Sequence, residues 1–268
     1  MVRMLRRPPV YRRRLVATAA LMLACLSLAD ASAQGRVHYQ HPSAPPPGAI
    51  GSWQLRRGGP LPGHFQPVEI KAPPGALISL AVDGQFDQPT PSPVTAGMLI
   101  GSVYRLRVTG IPVHEGQELF PTIEVIDRTY TPIHYVWRFP IPIELTQPDL
   151  ELALAGRFVT RIIYLEDPQH PVPAHDGGTQ LWFDANPGDN PLHVADSLGR
   201  PVAILRIGGR LPLDPQQPDA TFMYGSPPHL KLVRHNVPGQ GEFLVPAQPR
   251  NDAEQLVPPA AGGELPRP

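Results

Sequence analysis

Tyr104-Arg105-Leu106-Arg107-Val108-Thr109 alternates apolar and polar side chains with a period of two. Successive side chains of a β-strand point to opposite faces, so this alternation predicts a strand with one buried and one solvated face. The period recurs in short segments separated by prolines and glycines, which is typical of a sandwich or barrel. We therefore predict an all-β fold, an immunoglobulin-like β-sandwich with two short helices, flanked by disordered proline-rich arms. The other strand-like segments are 68–71, 123–125, 139–145, 158–165 and 202–207.

The segment 138–145 carries prolines at two alternate positions, Pro140 and Pro142. Their missing N–H groups belong to the same side of the strand, so a neighbouring strand cannot pair fully on that side. This predicts a sheet edge, where prolines also discourage aggregation. The side chains that alternate with the prolines are apolar and are expected to cover the core; they are Phe139, Ile141, Ile143 and Leu145.

Two short helices are predicted between strands. Thr146 is followed by Asp149 three residues later and by Gly156 after the apolar positions, an approximate capping box with a C-terminal glycine. This pattern predicts a helix near 147–155. Asn190 is placed to cap a second helix at 191–198.

The N-terminus has the pattern of a secretory signal peptide. Six arginines lie within residues 3–14, an apolar run follows at 15–28, and Ala31-Ser32-Ala33 is a small-residue cleavage site. We predict a signal peptide at 1–33 and export to the periplasm, cell envelope or medium. Alternatives are an uncleaved anchor and acylation at Cys25. The arginines leave both the general secretory route and the twin-arginine route open.

Removing the signal changes the charge of the chain. It carries six of the 23 basic residues and one of the 23 acidic residues, which leaves 17 against 22 and a net charge of −5. A mildly acidic protein has no electrostatic footprint for nucleic acid or anionic lipid. Cys25, the one cysteine, also leaves with the signal, so we expect no disulfide and no thiolate nucleophile.

Composition divides the rest into three parts. Residues 34–57 form a proline-rich leader, predicted to be extended and disordered. Residues 58–212 form the predicted domain. Residues 213–268 are rich in proline and glycine without an apolar period, which predicts a disordered tail. Within this tail, Leu230-Lys231-Leu232-Val233 is a short stretch that could still dock on the domain.

Four segments of the domain are distinctive in their sequence. They are Pro60-Leu61-Pro62-Gly63-His64-Phe65-Gln66-Pro67-Val68-Glu69-Ile70, the stretch 104–128 with Phe120-Pro121-Thr122-Ile123-Glu124, the stretch 138–168 with Tyr164-Leu165-Glu166-Asp167-Pro168, and the stretch 182–210 with Leu198-Gly199-Arg200-Pro201-Val202. These segments resemble an uncharacterised family of exported proteins from planctomycete-type bacteria. The resemblance covers the domain and neither arm, and it implies an exported single-domain protein without implying any activity.

Motifs for catalysis are missing from the sequence. There is no G-x-S-x-G, no phosphate-binding G-x-x-x-x-G-K-[ST] and no G-x-G-x-x-G. His114-Glu115 begins like a zinc-protease motif, but Glu118 stands where the second histidine is needed. We interpret this pair as a surface turn. The sequence therefore predicts no enzyme and no cofactor.

Two loop clusters leave a metal site open. His170, His175 and Asp176 fall within seven residues, and two imidazoles with a carboxylate are ligands for zinc or copper. Their proline-rich surroundings and the lack of a fourth ligand favour solvated loop residues. The second cluster is loosely like a calcium loop, although turn and cap residues explain it equally well; it consists of Asp184, Asn186 and Asp189.

Aromatic residues favour binding over catalysis. Tyr130, Tyr135 and Trp137 cluster with His134 between two strands, in a loop that also holds Pro132. Exposed aromatic rings suit a partner protein or a sugar, whereas Trp137 could instead close the core. The resulting hypothesis is a non-catalytic envelope module that binds another envelope protein or polysaccharide. The alternative from a different class is a secreted hydrolase or metal-binding protein.

Overall fold

The structure is a computed structural model that describes residues 45–166, 185–186, 188–214, 218–237 and 241–246. These residues belong to one structural unit, His41–Pro268. The predicted signal peptide and the first part of the predicted leader lie outside the described residues.

Most of the described chain forms two β-sheets. Their strands, numbered along the chain, are β1 (Phe65–Lys71), β2 (Leu77–Val82), β3 (Gln85–Phe86), β4 (Thr90–Pro91), β5 (Val94–Leu99), β6 (Val103–Thr109), β7 (Thr122–Val125), β8 (Ile141–Glu144), β9 (Val159–Glu166), β10 (Gly199–Ile207), β11 (His229–Val237) and β12 (Gly241–Pro246). A five-stranded sheet has the order β12-β11-β5-β1-β8. A seven-stranded sheet has the order β3-β2-β6-β7-β10-β9, with β4 also paired to β2. The described pairs are antiparallel except β1 with β8.

The main core takes side chains from both sheets, and this arrangement is consistent with the predicted β-sandwich. The strands predicted around 68–71, 104–109, 123–125, 158–165 and 202–207 all form. Their apolar positions face the core because alternate side chains of a strand share one face. The core residues include Val68, Ile70, Met98, Ile141 and Ile143 from the five-stranded sheet and Tyr104, Leu106, Ile123, Val125 and Leu205 from the seven-stranded sheet.

The proline-bearing strand lies at a sheet edge, as predicted. β8 pairs with β1 in parallel and ends the five-stranded sheet, with Pro142 exposed. Ile141 and Ile143 are buried in the core. Phe139 departs from the prediction, because 54% of it is exposed. The chain just before it is a 3-10 helix, Ile133–Arg138, so Phe139 precedes the strand and does not share its alternation.

Both predicted helices are present, and a third was not predicted. The three are α1 (Ala49–Arg56), α2 (Gln147–Leu154) and α3 (Pro191–Leu198). In α2, the backbone N–H of Asp149 donates to Thr146 Oγ1 over 3.3 Å. In α3, the N–H of Leu192 donates to Asn190 Oδ1 over 3.2 Å. These are the side-chain caps that the sequence indicated.

The described parts of the two arms differ from the predicted disorder. α1 falls within the predicted leader, yet its Ile50 is fully buried. A Cβ on Gly51 would lie 2.7 Å from the Cα of Gly101, so the helix packs closely against the turn after β5. β11 and β12 fall within the predicted tail, and β11 pairs with the free side of β5. The stretch 230–233, which was expected to be able to dock, is part of β11.

The outer face of the seven-stranded sheet also corrects a prediction. We define it as the face opposite the core, and its alternating polar side chains were expected to be solvated. Instead Arg105, Glu124 and Arg206 are nearly or completely buried. Hydrogen bonds connect them to segments that cross this face: Glu124 to α1 and Arg105 to the turn at 219–225. The alternation predicted the strands correctly but not what covers them.

Candidate functional site

The aromatic residues singled out by sequence lie on an exposed segment between β7 and β8. Tyr130 is 60% exposed and Tyr135 is 47% exposed, whereas Trp137 is half-buried. Tyr135 and Trp137 belong to the 3-10 helix. The exposed Phe139 follows directly. The segment therefore presents several aromatic rings to solvent.

Two guanidinium groups lie beside the ring of Tyr130. The Cζ atoms of Arg128 and Arg200 are each 4.4 Å from the ring centroid. This is within the distance at which a guanidinium is attracted to an aromatic ring. Arg128 comes from the same segment, whereas Arg200 comes from β10. We call Asp127, Arg128, Tyr130 and Arg200, with the neighbouring His64, the arginine–tyrosine cluster.

Asp127 holds one of these arginines in place. Its Oδ2 accepts a hydrogen bond from Arg200 Nη1 over 3.0 Å, and its Oδ1 accepts from the backbone N–H of Arg128 over 2.7 Å. Burial raises the pKa of Asp127, although both hydrogen bonds and the charge of Arg200 act in the opposite direction. The carboxylate therefore orients Arg200 and neutralises about one of the two positive charges.

The second arginine, Arg128, differs from Arg200 in its contacts with the described residues. Arg128 makes no salt bridge and no side-chain hydrogen bond within the part of the chain that the structure describes, and its Nε is buried without a partner. Two further buried polar atoms also have no hydrogen-bond partner among the described residues. They are His64 Nε2, whose ring lies close enough for the charge of Arg128 to lower its pKa, and Thr131 Oγ1, three residues after Arg128. Burial, with a smaller contribution from Arg128, lowers the pKa of His64 and favours its neutral form. Unsatisfied buried groups are uncommon in proteins, and a ligand group would satisfy them.

The backbone beneath the cluster is anchored on both sides. Gln66 of β1 is fully buried, and its Oε1 accepts hydrogen bonds from Thr129 N at 2.8 Å and Thr129 Oγ1 at 3.2 Å. The N–H groups of Ile126 and Asp127 both donate to the carbonyl of Val202 in β10, over 2.9 and 3.1 Å. The cluster therefore stands on a segment that both sheets hold, which reduces the entropy lost on binding.

The structure brings together residues that the sequence could not connect. Arg128 could be suspected beside Tyr130 from its spacing alone. Arg200 and His64 are 70 and 66 residues from Tyr130 along the chain. Arg200 lies in β10, and His64 directly precedes β1. No local sequence pattern indicates that these positions lie near Tyr130.

The two loop clusters that left a metal site open in the sequence fall largely outside the described residues. This applies to His170, His175, Asp176 and Asp184. Asn186 and Asp189 are described, and the Nδ2 of Asn186 donates to Asp189 Oδ2 over 3.0 Å. This bond, together with Asp189 N donating to the Asn186 carbonyl, is turn chemistry before α3. Within the described ranges, no group of three or more metal-binding side chains occurs.

His114 lies in a turn, as the sequence indicated. Its N–H donates to the carbonyl of Ile111 over 3.0 Å, and its own carbonyl accepts from the N–H of Gln117 over 3.1 Å. The pair His114-Glu115 therefore belongs to a loop between β6 and β7 and not to a helix.

No protein-family model, curated protein or solved structure matches this chain. Among the described residues, no helix has the length and hydrophobicity needed to cross a membrane.

Proposed function

We propose that this protein is an exported, non-catalytic module with an immunoglobulin-like sandwich that binds another envelope protein or polysaccharide through its 126–139 segment. The observation that carries the proposal is the exposed Tyr130, whose ring centroid lies 4.4 Å from the Cζ atoms of both Arg128 and Arg200. Tyrosine, tryptophan and arginine are the residues most enriched at energetically important positions of interfaces.

Preorganisation supports binding at this segment. Gln66 and Val202 fix its backbone, and Asp127 fixes Arg200, so the exposed groups lose little conformational freedom when a partner arrives. Tyr135 and Phe139 extend the exposed aromatic surface along the chain. A partner that contacts Tyr130 would therefore meet further rings beside it.

In-cell crosslinking tests the proposal. A photo-crosslinking amino acid at position 132, which is exposed next to the cluster, should yield a reproducible adduct with an envelope protein or polysaccharide. The variant Tyr130→Ala should reduce the adduct, and so should Tyr135→Ala combined with Trp137→Ala. Phe158→Ala is the matched control, because Phe158 is 70% exposed but lies outside the segment. Equal adducts in all variants, or turnover of ester, peptide or glycoside substrates by the purified protein, would contradict the proposal.

Export is proposed from the signal pattern alone. The mature chain is expected to begin at Gln34, after Ala31-Ser32-Ala33. N-terminal sequencing or the intact mass of protein from the envelope fraction measures this directly. A lipid-modified N-terminus at Cys25 would overturn both the cleavage site and the release of the protein from the membrane.

A further inference from the structure

The arginine–tyrosine cluster has a charge and a donor arrangement that define a ligand more narrowly. Arg128 and Arg200 contribute two permanent positive charges, and Asp127 contributes one negative charge at 3.0 Å from Arg200. The neutral form of His64 is favoured, so the cluster keeps a net charge of about +1. This positive charge is local to the cluster, because the chain after the predicted signal has a net charge of −5. A cluster with one excess positive charge suits a singly charged anionic group.

The free donors are those of guanidinium groups. Arg128 uses none of its side-chain donors within the described chain, and Arg200 uses Nη1 for Asp127. The planar fork of a guanidinium matches the two oxygens of a carboxylate. Contact with Tyr130 restricts where both groups can lie, so a carboxylate would meet donors that are already placed.

The pairing of arginine with an exposed tyrosine occurs a second time. The Cζ of Arg138 lies 5.8 Å from the ring centroid of Tyr135, in the 3-10 helix that follows the cluster. A second exposed ring on the same segment suits a polymer whose sugar rings continue beyond the bound carboxylate. Phe139, which follows Arg138 in the sequence, is also exposed and offers an apolar face for a pyranose.

We infer that the arginine–tyrosine cluster binds the carboxylate of an acidic polysaccharide built from uronic acid units. This inference rests on the proposed binding function and narrows its partner to one chemical class. A carboxylate would accept hydrogen bonds from Arg128 and Arg200, and the adjacent sugar rings would pack along the segment towards Tyr135. No covalent step is involved.

Titration calorimetry with defined polymers tests the inference. Polygalacturonate should bind the purified mature protein, whereas its fully methyl-esterified form, which has the same sugars without the charge, should not. Affinity for polygalacturonate should fall as salt rises, because ions screen an exposed charge pair. Polyglutamate serves as the protein-like polyanion. Equal or tighter binding of polyglutamate would assign the site to an acidic protein and overturn the polysaccharide.

Arg128→Gln is the decisive variant. Arg128 makes no salt bridge within the described residues, so its loss should leave the thermal melting curve nearly unchanged. Removing a charged hydrogen-bond donor should weaken polygalacturonate binding about tenfold to a hundredfold. Arg128→Lys should restore the charge but only part of the affinity, because lysine lacks the planar fork. Arg157→Gln is the control, since it removes an equal charge from an exposed position after α2.

The outcomes separate this inference from the proposed function. If Arg128→Gln and Arg157→Gln bind equally, or if the methyl ester binds as well as the acid, the inference is wrong. A crosslinked partner that still depends on Tyr130 would then leave the proposed function standing. If no crosslink that depends on Tyr130 is found either, both the inference and the proposed function are wrong.

Discussion

In the middle strands of the seven-stranded sheet both faces are buried, but the two faces differ in chemistry. The inner face meets the five-stranded sheet with apolar side chains. The outer face carries charged side chains in the same strands and is covered by segments from both arms of the chain. The buried inner residues include Tyr104, Leu106, Ile123, Val125 and Leu205, and the buried outer polar residues include Arg105, Thr122, Glu124 and Arg206.

The outer charges are buried with partners. Glu124 accepts hydrogen bonds from Arg206 Nη1 at 2.9 Å and from the backbone N–H of Gly51 at 2.8 Å. Arg105 donates to the carbonyls of Phe222 at 3.0 Å and Phe120 at 2.7 Å, and burial lowers its pKa to about 10. A buried charge is tolerated when such bonds replace its hydration. The outer face therefore connects the two arms of the chain through polar contacts.

Breaking the outer ion pair is expected to have the largest effect. Glu124→Ala leaves Arg206 buried without its carboxylate and should lower the free energy of unfolding by about 3–5 kcal/mol. Urea denaturation measures the change. Glu118→Ala is the matched control, because Glu118 pairs with Arg107 over 2.6 Å at a site where both side chains are partly exposed. Such a pair contributes about 0–1 kcal/mol. Similar losses in both variants would show that the outer face is not buried in solution.

Removing part of the outer cover is expected to have a somewhat smaller effect. Phe222 is 1% exposed, and its ring lies edge-on to Phe120 and 4.5 Å from the Cζ of Arg105. Phe222→Ala should cost about 3 kcal/mol, at the low end for a buried phenylalanine, because the turn at 219–225 can close over the cavity. Thermal and urea unfolding measure this. The exposed Phe158→Ala should change stability by less than about 0.5 kcal/mol; an equally small loss in Phe222→Ala would mean that the segment does not pack on the sheet.

The inner face contains one hydroxyl that tests how strictly apolar it is. Tyr104 is 1% exposed, and its hydroxyl accepts from Leu99 N at 2.7 Å and donates to the Pro228 carbonyl at 2.8 Å. Burial raises the pKa of Tyr104 to about 12, so it remains a donor. Tyr104→Phe leaves both partners unsatisfied and should cost about 1–3 kcal/mol. In contrast, the exposed Tyr135→Phe should be nearly neutral in the same urea assay. Equal changes in the free energy of unfolding for the two variants would mean that the Tyr104 hydroxyl is exposed to water.

The smallest expected effect is a pH dependence near the margin of the core. His229 lies opposite Met98 of β5, and burial lowers the pKa of His229, with Asp87 opposing and Lys231 reinforcing the change. The pKa of His64 is lowered in the same direction. The unfolded chain therefore binds more protons than the folded chain below about pH 6.5. Stability should be highest above this pH and should fall as the pH drops through it.

Melting temperatures between pH 5 and 8 measure this dependence. The double variant His64→Gln and His229→Gln should show a flatter profile than the natural chain, because the two groups that resist protonation are gone. His193→Gln, at an exposed position of α3, is the control and should leave the profile unchanged. An unchanged slope in the double variant would mean that neither histidine is buried in solution.

The sequence predicted local features whose causes are local. Thr146 and Asn190 cap helices because their side chains reach N–H groups two or three residues away. The alternation at 104–109 specifies a strand, and Pro142 removes the donor that a further strand would need. These features depend on neighbouring residues, so they are visible without any knowledge of the rest of the fold.

The arms were harder to predict for a physical reason. Their proline and glycine content suggests disorder, yet α1 gains a buried hydrogen bond from the N–H of Gly51 to Glu124, and β11 pairs through residues 229–231 with part of the edge of β5. Such gains come from partners distant in sequence, and they outweigh weak local preferences. The candidate site follows the same rule. Tyr130 and its exposed loop were predicted, whereas Arg200 was not, because β10 alone brings it to the ring.

Side-chain periodicity, missing N–H groups and helix caps act over a few residues. For this reason the β-rich character of the domain, the edge position of β8 and the two capped helices follow from local patterns in the sequence. The cover of the outer face of the seven-stranded sheet, the position of the described arm residues and the charges around Tyr130 do not, because burial and charge pairing depend on which distant strands become neighbours. The alternation at Arg105 is the same whether water or another part of the chain lies over it.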